Sequence, residues 1–217
     1  MKGKLLLSIS LLFSMFILSG CGENAEEKVF NKLEETVEIE EGNEATKKLN
    51  ELEAKDKSLL NEIAALTEED LEEINKKSDE AIKVNKQLKD TIEEEQSIYS
   101  DAEKQFKKSE SSIDKIEEEP KKEIGLKMYK VMMERYDTYK ELVKEYQSVI
   151  DERIKFYELM KDKDVKEDKV FEQVDKINKY NEKIMKLNDE FNKSTEEYNK
   201  LKKEFYEKMD LNIKYEN

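Results

Sequence analysis

Histidine is absent from the 217 residues, and cysteine and proline occur once each. Without histidine the chain has no side chain whose unperturbed pKa lies near neutrality, so the usual proton shuttle and the imidazole metal ligand are excluded. A single cysteine closes no disulfide within the chain and builds no zinc site of the common ligand types, so stability has to come from packing. One proline and five glycines, two of them within the first twenty residues, are too few for the turns of a β protein. Long helices remain. Arginine is scarce as well: Arg135 and Arg153 are the two among 40 basic residues. A formal net charge of −14 denies the chain the basic face that nucleic-acid phosphates require. With 43% charged and 36% hydrophobic residues the composition borders on that of disordered chains, and periodicity decides whether it folds.

What is there begins with an export segment. Lys2 and Lys4 precede an apolar run from Leu5 to Leu18, too short to span a bilayer comfortably and right for the core of a signal peptide. It closes on Leu18-Ser19-Gly20-Cys21, where small Ser19 and Gly20 give a signal peptidase access to the bond before Cys21. A thiol at that position can be alkylated to a thioether carrying a diacylglyceryl group. Each buried methylene contributes about 0.8 kcal/mol and one acyl chain binds only marginally, so a two-chain anchor gives stable residence on a membrane. Cleavage removes residues 1–20 and leaves 197, with a net charge of −16 once Lys2 and Lys4 are gone. The lipid on Cys21 is the only group the sequence calls for. No cofactor or metal is expected, and the chain is placed on the outer face of a cell membrane, in a Gram-positive bacterium.

Residues 21–42 read as a lipidated tether containing a short helix. Asn24 with Glu27 makes its N-terminal cap, Phe30, Leu33 and Val37 its apolar stripe, and Glu38 to Glu41 followed by Gly42 its end. The acidic cluster would be repelled by anionic lipid, which favours docking on the rest of the protein over lying on the membrane. Residues 43–217 read as a helical bundle. A heptad frame runs from Ala45 through Asp56 to Leu66. After a Thr67/Asp70 cap a second frame runs from Leu71 to Ile116 without a skipped step. Glu119-Pro120 ends it and opens a third frame, Tyr129 to Met160. A polar turn at 161–164 leads to a fourth, Val170 to Phe205. Long helices joined by short turns pack antiparallel, so the expected fold is all-α: an elongated up-and-down bundle of three long helices plus a shorter N-terminal one, with coiled-coil-like packing.

Eight of the ten tyrosines fall on seam positions, which makes them core rather than a sugar-stacking surface. Tyr206, Tyr215, Phe156 and Phe171 lie off the seam and are the candidates for exposed contact. Asp162, Asp164 and Asp168 lack the glycine and closing glutamate of a calcium loop and read as helix capping. Carboxylates able to hydrolyse a glycan need a cleft, which a narrow bundle does not offer, so no enzyme is expected. Antiparallel registry brings second- and third-helix positions together when their numbers sum to about 238, and third- and fourth-helix positions when they sum to about 327. Arg153 then meets Asn85 and Gln173 in one polar core layer. That layer fixes register at some cost in stability, or alternatively receives an anionic group between the helices.

The export motif, the helix lengths and the stretch Lys127 to Tyr146, with Met128-Tyr129-Lys130-Val131-Met132-Met133-Glu134-Arg135-Tyr136 inside it, resemble the cell-wall-binding lipoprotein family of bacilli and staphylococci. The resemblance covers essentially the whole chain and carries no catalytic residues. It implies an extracytoplasmic, lipid-anchored protein that binds the cell wall or spaces membrane from wall, with peptidoglycan or another envelope component as partner. The alternative open at this point is a scaffold or regulator that holds a membrane protein through one helix face.

Overall fold

The computed structural model describes residues 24–41 and 44–209. The export segment, Leu18, Ser19, Gly20, Cys21, Gly42 and Tyr215 lie outside them. Among the described residues there is no strand. The helices are α1 (Ala25–Glu41), α2 (Ala45–Ala64), α3 (Leu71–Lys107), the single turn α4 (Glu110–Ile113), α5 (Glu119–Met160) and α6 (Glu167–Lys208), with a 3-10 turn at Glu68–Asp70 before α3. The expected starts are visible as hydrogen bonds. The Asn24 amide donates to Glu27 Oε2 at 3.1 Å while the Glu27 amide donates to Asn24 Oδ1 at 2.7 Å, and the Thr67 amide donates to Asp70 at 3.0 Å.

The chain divides into two compact units, and α3, α5 and α6 each contribute one segment to each. The first unit comprises Glu44–Gln96 and Lys140–Asn188. Here α2 joins the three long helices, burying Leu49, Leu59 and Ile63. At its edges Lys55 pairs with Glu80 and Lys77 with Glu62, both at 2.7 Å. Lys161 reaches Asp79 at 2.7 Å and Lys89 reaches Asp151 at 2.8 Å, the antiparallel register of α3 on α5 that the heptad frames predict.

The second unit holds α1, residues 97–139 and residues 189–209. Its fourth helix is α1, which buries Val29, Phe30, Leu33 and Val37. Burying each of these side chains contributes about 2 kcal/mol. Phe30 packs on Tyr206 with ring centroids 5.0 Å apart. Tyr99 stacks on Tyr139 at 3.9 Å, again in the expected register, and Phe106 meets Tyr136 and Tyr198. The helix of residues 25–41 is therefore docked by its apolar stripe.

The second heptad frame does not form one continuous helix to Ile116. It breaks after Lys107, where the Lys108 and Ser109 amides bond three residues back to Gln105 and Phe106. Ser109, Ser111 and Ser112 crowd this point, and serine hydroxyls compete with the backbone for helical hydrogen bonds. The apolar period survives the break: Ile113 and Ile116 stay buried. Gly125 permits the close approach there, since a Cβ on it would stand 3.1 Å from Ile113 Cγ2 and 3.3 Å from Phe205.

Candidate functional site

The chain's two arginines both lie on α5, and each sits at the polar centre of one unit. In the first unit Arg153 donates to Glu53 Oε1 at 2.9 Å and stands 3.5 Å from Asp56 Oδ2. Asp56 is 5% exposed and also accepts from Asn85 Nδ2 and, at 2.9 Å, from the Tyr157 hydroxyl. Tyr146 donates to Glu53 at 2.7 Å. Burial pushes the Asp56 carboxyl above its ordinary value, against the opposing pull of Arg153, Tyr157 and Asn85. Burial and then the neighbouring carboxylates raise the Tyr146 and Tyr157 hydroxyls, which keeps both as donors.

Of the three residues expected to meet, Arg153 and Asn85 come together on a common acceptor, Asp56. Gln173 is buried but turns to Glu152, donating to its carbonyl at 2.8 Å and its carboxylate at 2.7 Å. The reason is α2. Once it packs against α3 and α5 it brings two carboxylates to the guanidinium, and a charged acceptor outcompetes an amide. Asp56 was visible in sequence as a polar residue on an apolar seam, but the antiparallel sums placed only the long helices and left it without a partner.

The second centre lies in the second unit, and Arg135 was not among the expected site residues. It is 1% exposed, and both terminal nitrogens bond the Glu40 carboxylate at 3.1 Å, a bidentate fork. Its Nε donates to Thr195 Oγ1 at 3.1 Å, and its guanidinium lies 4.7 Å from the Phe191 ring centroid. Tyr136 donates to the same Glu40 at 2.9 Å. Burial works against the arginine's charge, but Glu40 together with the Tyr99 and Tyr136 hydroxyls outweighs it and holds the Arg135 pKa above its ordinary value. Beside this centre Lys202, also buried, pairs with Glu34 at 2.9 Å. Burial pulls its pKa down, and Glu34 opposes that shift. The signal for this site in the sequence was scarcity: in a chain this rich in lysine, a planar always-charged fork is kept for places lysine cannot serve.

These centres hold helices together. Every carboxylate that meets the two arginines belongs to a short N-terminal helix, Glu40 on α1 or Glu53 and Asp56 on α2. Among the described residues no group of histidine, cysteine, aspartate or glutamate is placed to hold a metal ion, and no helix is long and apolar enough to cross a membrane. Asp162 accepts from the Asp164 amide at 2.9 Å, a turn rather than an ion cage.

The expected exposed aromatics divide. Tyr206 is 3% exposed, a correction to the sequence reading: it donates to Glu34 at 2.8 Å and is covered by Phe30, because α1 docks on a face of α6 that the core frame leaves free. Phe156 is half-buried, edge-on to Tyr157. Phe171 is exposed. Tyr129 and Tyr180, expected in the core, are half-buried.

Comparison with known proteins supplies the kinship. A family model described as "Putative cell-wall binding lipoprotein", YkyA, matches residues 24–208. The lipoprotein YkyA of Bacillus subtilis (strain 168) is 31% identical over 164 residues, 75% of this chain and 74% of that protein. A crystal structure of a conserved Staphylococcus aureus protein has a TM-score of 0.58 at 19% identity, covering 83% of this chain and 91% of that one, which is a likeness of fold. Because the family model runs from the cap of α1 to the last turn of α6 and takes in both arginine centres, the chain belongs to the YkyA family.

Proposed function

We propose that the chain is a lipid-anchored extracytoplasmic helical-bundle protein that binds the cell wall, standing between membrane and peptidoglycan on the outer face of a Gram-positive membrane. The observation that carries this reading is the match of the family model to residues 24–208. The Leu18-Ser19-Gly20-Cys21 motif adds the anchor, with Cys21 as the lipidated residue. The reading is one of binding and not of catalysis. Both buried charged centres are engaged within the protein, so a ligand is met by the outer faces of the helices.

Retention of the full chain, held in detergent, on purified peptidoglycan at moderate and high salt tests this reading. Retention at both salts is expected, because a chain of net charge −14 has little to gain from ionic attraction to an anionic wall polymer. Absence of retention at either salt removes wall binding.

A further inference from the structure

Helix α6 carries a second stripe beside its core seam. Phe171, Val174, Asn178, Asn181, Met185 and Asn188 follow one another at alternating steps of three and four, the spacing of one continuous helix face. None is charged, in a chain where 43% of residues are. Phe171 is 59% and Met185 62% exposed, Asn178 is exposed, and the other three are half-buried. In the second unit the same register continues through Asn192, Thr195, Asn199, Lys202 and Tyr206; Asn192 and Asn199 are exposed, but the other three are buried, Thr195 bonding Arg135 while Lys202 and Tyr206 both reach Glu34 of α1. There one edge of the stripe is a docking face already occupied. In the first unit α2 bonds α3 and α5 instead, and the stripe stays open.

The geometry points to this open stripe as a binding site for an uncharged amino-sugar glycan strand, the N-acetylhexosamine backbone of peptidoglycan. The inference rests on the wall-binding reading and gives it a place. Each asparagine amide both donates and accepts, which matches hydroxyl and acetamido groups, and the Phe171 ring offers a flat apolar face to a pyranose. Residues one heptad apart, such as Phe171 to Asn178 and Asn178 to Met185, stand about 10 Å apart along the axis, close to the length of a disaccharide in an extended β-1,4-linked strand. Exposed Asp175 and Glu182 border the stripe, so a polyanion is repelled while a neutral strand is not. A second copy or a foreign helix fits less well. Three of the six positions are asparagine, and asparagine on a helix-helix seam weakens association.

The test uses the full chain in detergent with peptidoglycan stripped of teichoic acid. Retention is compared for the wild type, Phe171→Ala, the double variant Asn178→Asp/Asn181→Asp, and Lys179→Ala as a control on a different face of α6. Soluble chitohexaose serves as competitor. We expect both stripe variants to lose retention by about tenfold or more, the control to match wild type, and chitohexaose to displace the wild type. All four positions are exposed or half-buried, and circular dichroism checks that the variants remain helical. A wild type that is retained while both stripe variants are retained equally overturns the site and leaves wall binding standing. A wild type not retained at all overturns the wall-binding reading itself. Loss in the variants without displacement by chitohexaose overturns the glycan in favour of the stem peptide. A dimer that Phe171→Ala makes monomeric, with retention unchanged, overturns it in favour of a second copy.

Discussion

Arg135 supplies the bidentate ion pair that, beside the apolar stripe, holds α1 in the second unit. Its charge is buried, so removing it leaves Glu40 with Tyr136 as its remaining partner. Breaking a buried pair in this way costs about 3–5 kcal/mol. Arg135→Met is therefore expected to lower unfolding stability by that amount, measured by urea denaturation. Arg135→Lys should restore little of it, because an ammonium cannot make the fork to both Glu40 oxygens and reach Thr195 as well. A lysine variant as stable as wild type would show the bidentate geometry to be dispensable.

Asp56 supplies a pH test whose sign follows from its raised pKa. A carboxyl that protonates more readily folded than unfolded contributes its stability fully below its ordinary value of 3.8, and that contribution declines as pH rises through the elevated folded value. Against Asp56→Asn, which cannot titrate, the relative stability of the wild type should fall as pH climbs from 3.8 through the elevated value and then level off. Urea unfolding of both proteins across this range measures it. A difference that grows with pH would mean that Arg153, and not burial, dominates the carboxylate.

At the scale of the element, heptad frames were legible because a seam needs apolar residues at every third or fourth position whatever lies around it. The α3–α5 register followed from the same rule, as Tyr99 on Tyr139 shows. What was not legible is where a short helix docks. Nothing in the apolar stripe of α1 distinguishes the face of α6 with Tyr206 from any other, and the deciding carboxylates, Glu34 and Glu40, look like ordinary members of an acidic run. The break after Lys107 was hidden for a similar reason: Ser109 continues the seam in number while its neighbouring serines weaken the helix. Ser109 is fully buried and its hydroxyl has no hydrogen-bond partner among the described residues. Ser109→Ala should raise stability by up to about 1 kcal/mol, seen as a higher urea midpoint, by removing a buried unsatisfied hydroxyl and raising helix propensity. Leu33→Ala, in the fully buried stripe of α1, is expected to cost about 2–5 kcal/mol. Amide exchange should then accelerate in α1 ahead of the long helices, and uniform acceleration throughout would show that α1 does not open on its own.

For the whole molecule, both units follow one rule. Segments of α3, α5 and α6 are joined by one short helix whose carboxylates meet one arginine of α5. The strongest polar groups are thereby used inside, and the many exposed lysine–carboxylate pairs contribute little each, as pairs in water do. On the proposed reading, function rests with the anchor and the outer faces. Cys21→Ser should abolish incorporation of a labelled fatty acid in growing cells, and labelling as strong as wild type would remove the anchor assignment. The wall-binding claim itself is tested most directly in intact cells, with a photo-crosslinker placed at Met185 on the open face of α6. The account predicts that the crosslinked chain is recovered with peptidoglycan and is freed by a muralytic enzyme; recovery of one stoichiometric protein partner with no glycan attached would contradict it.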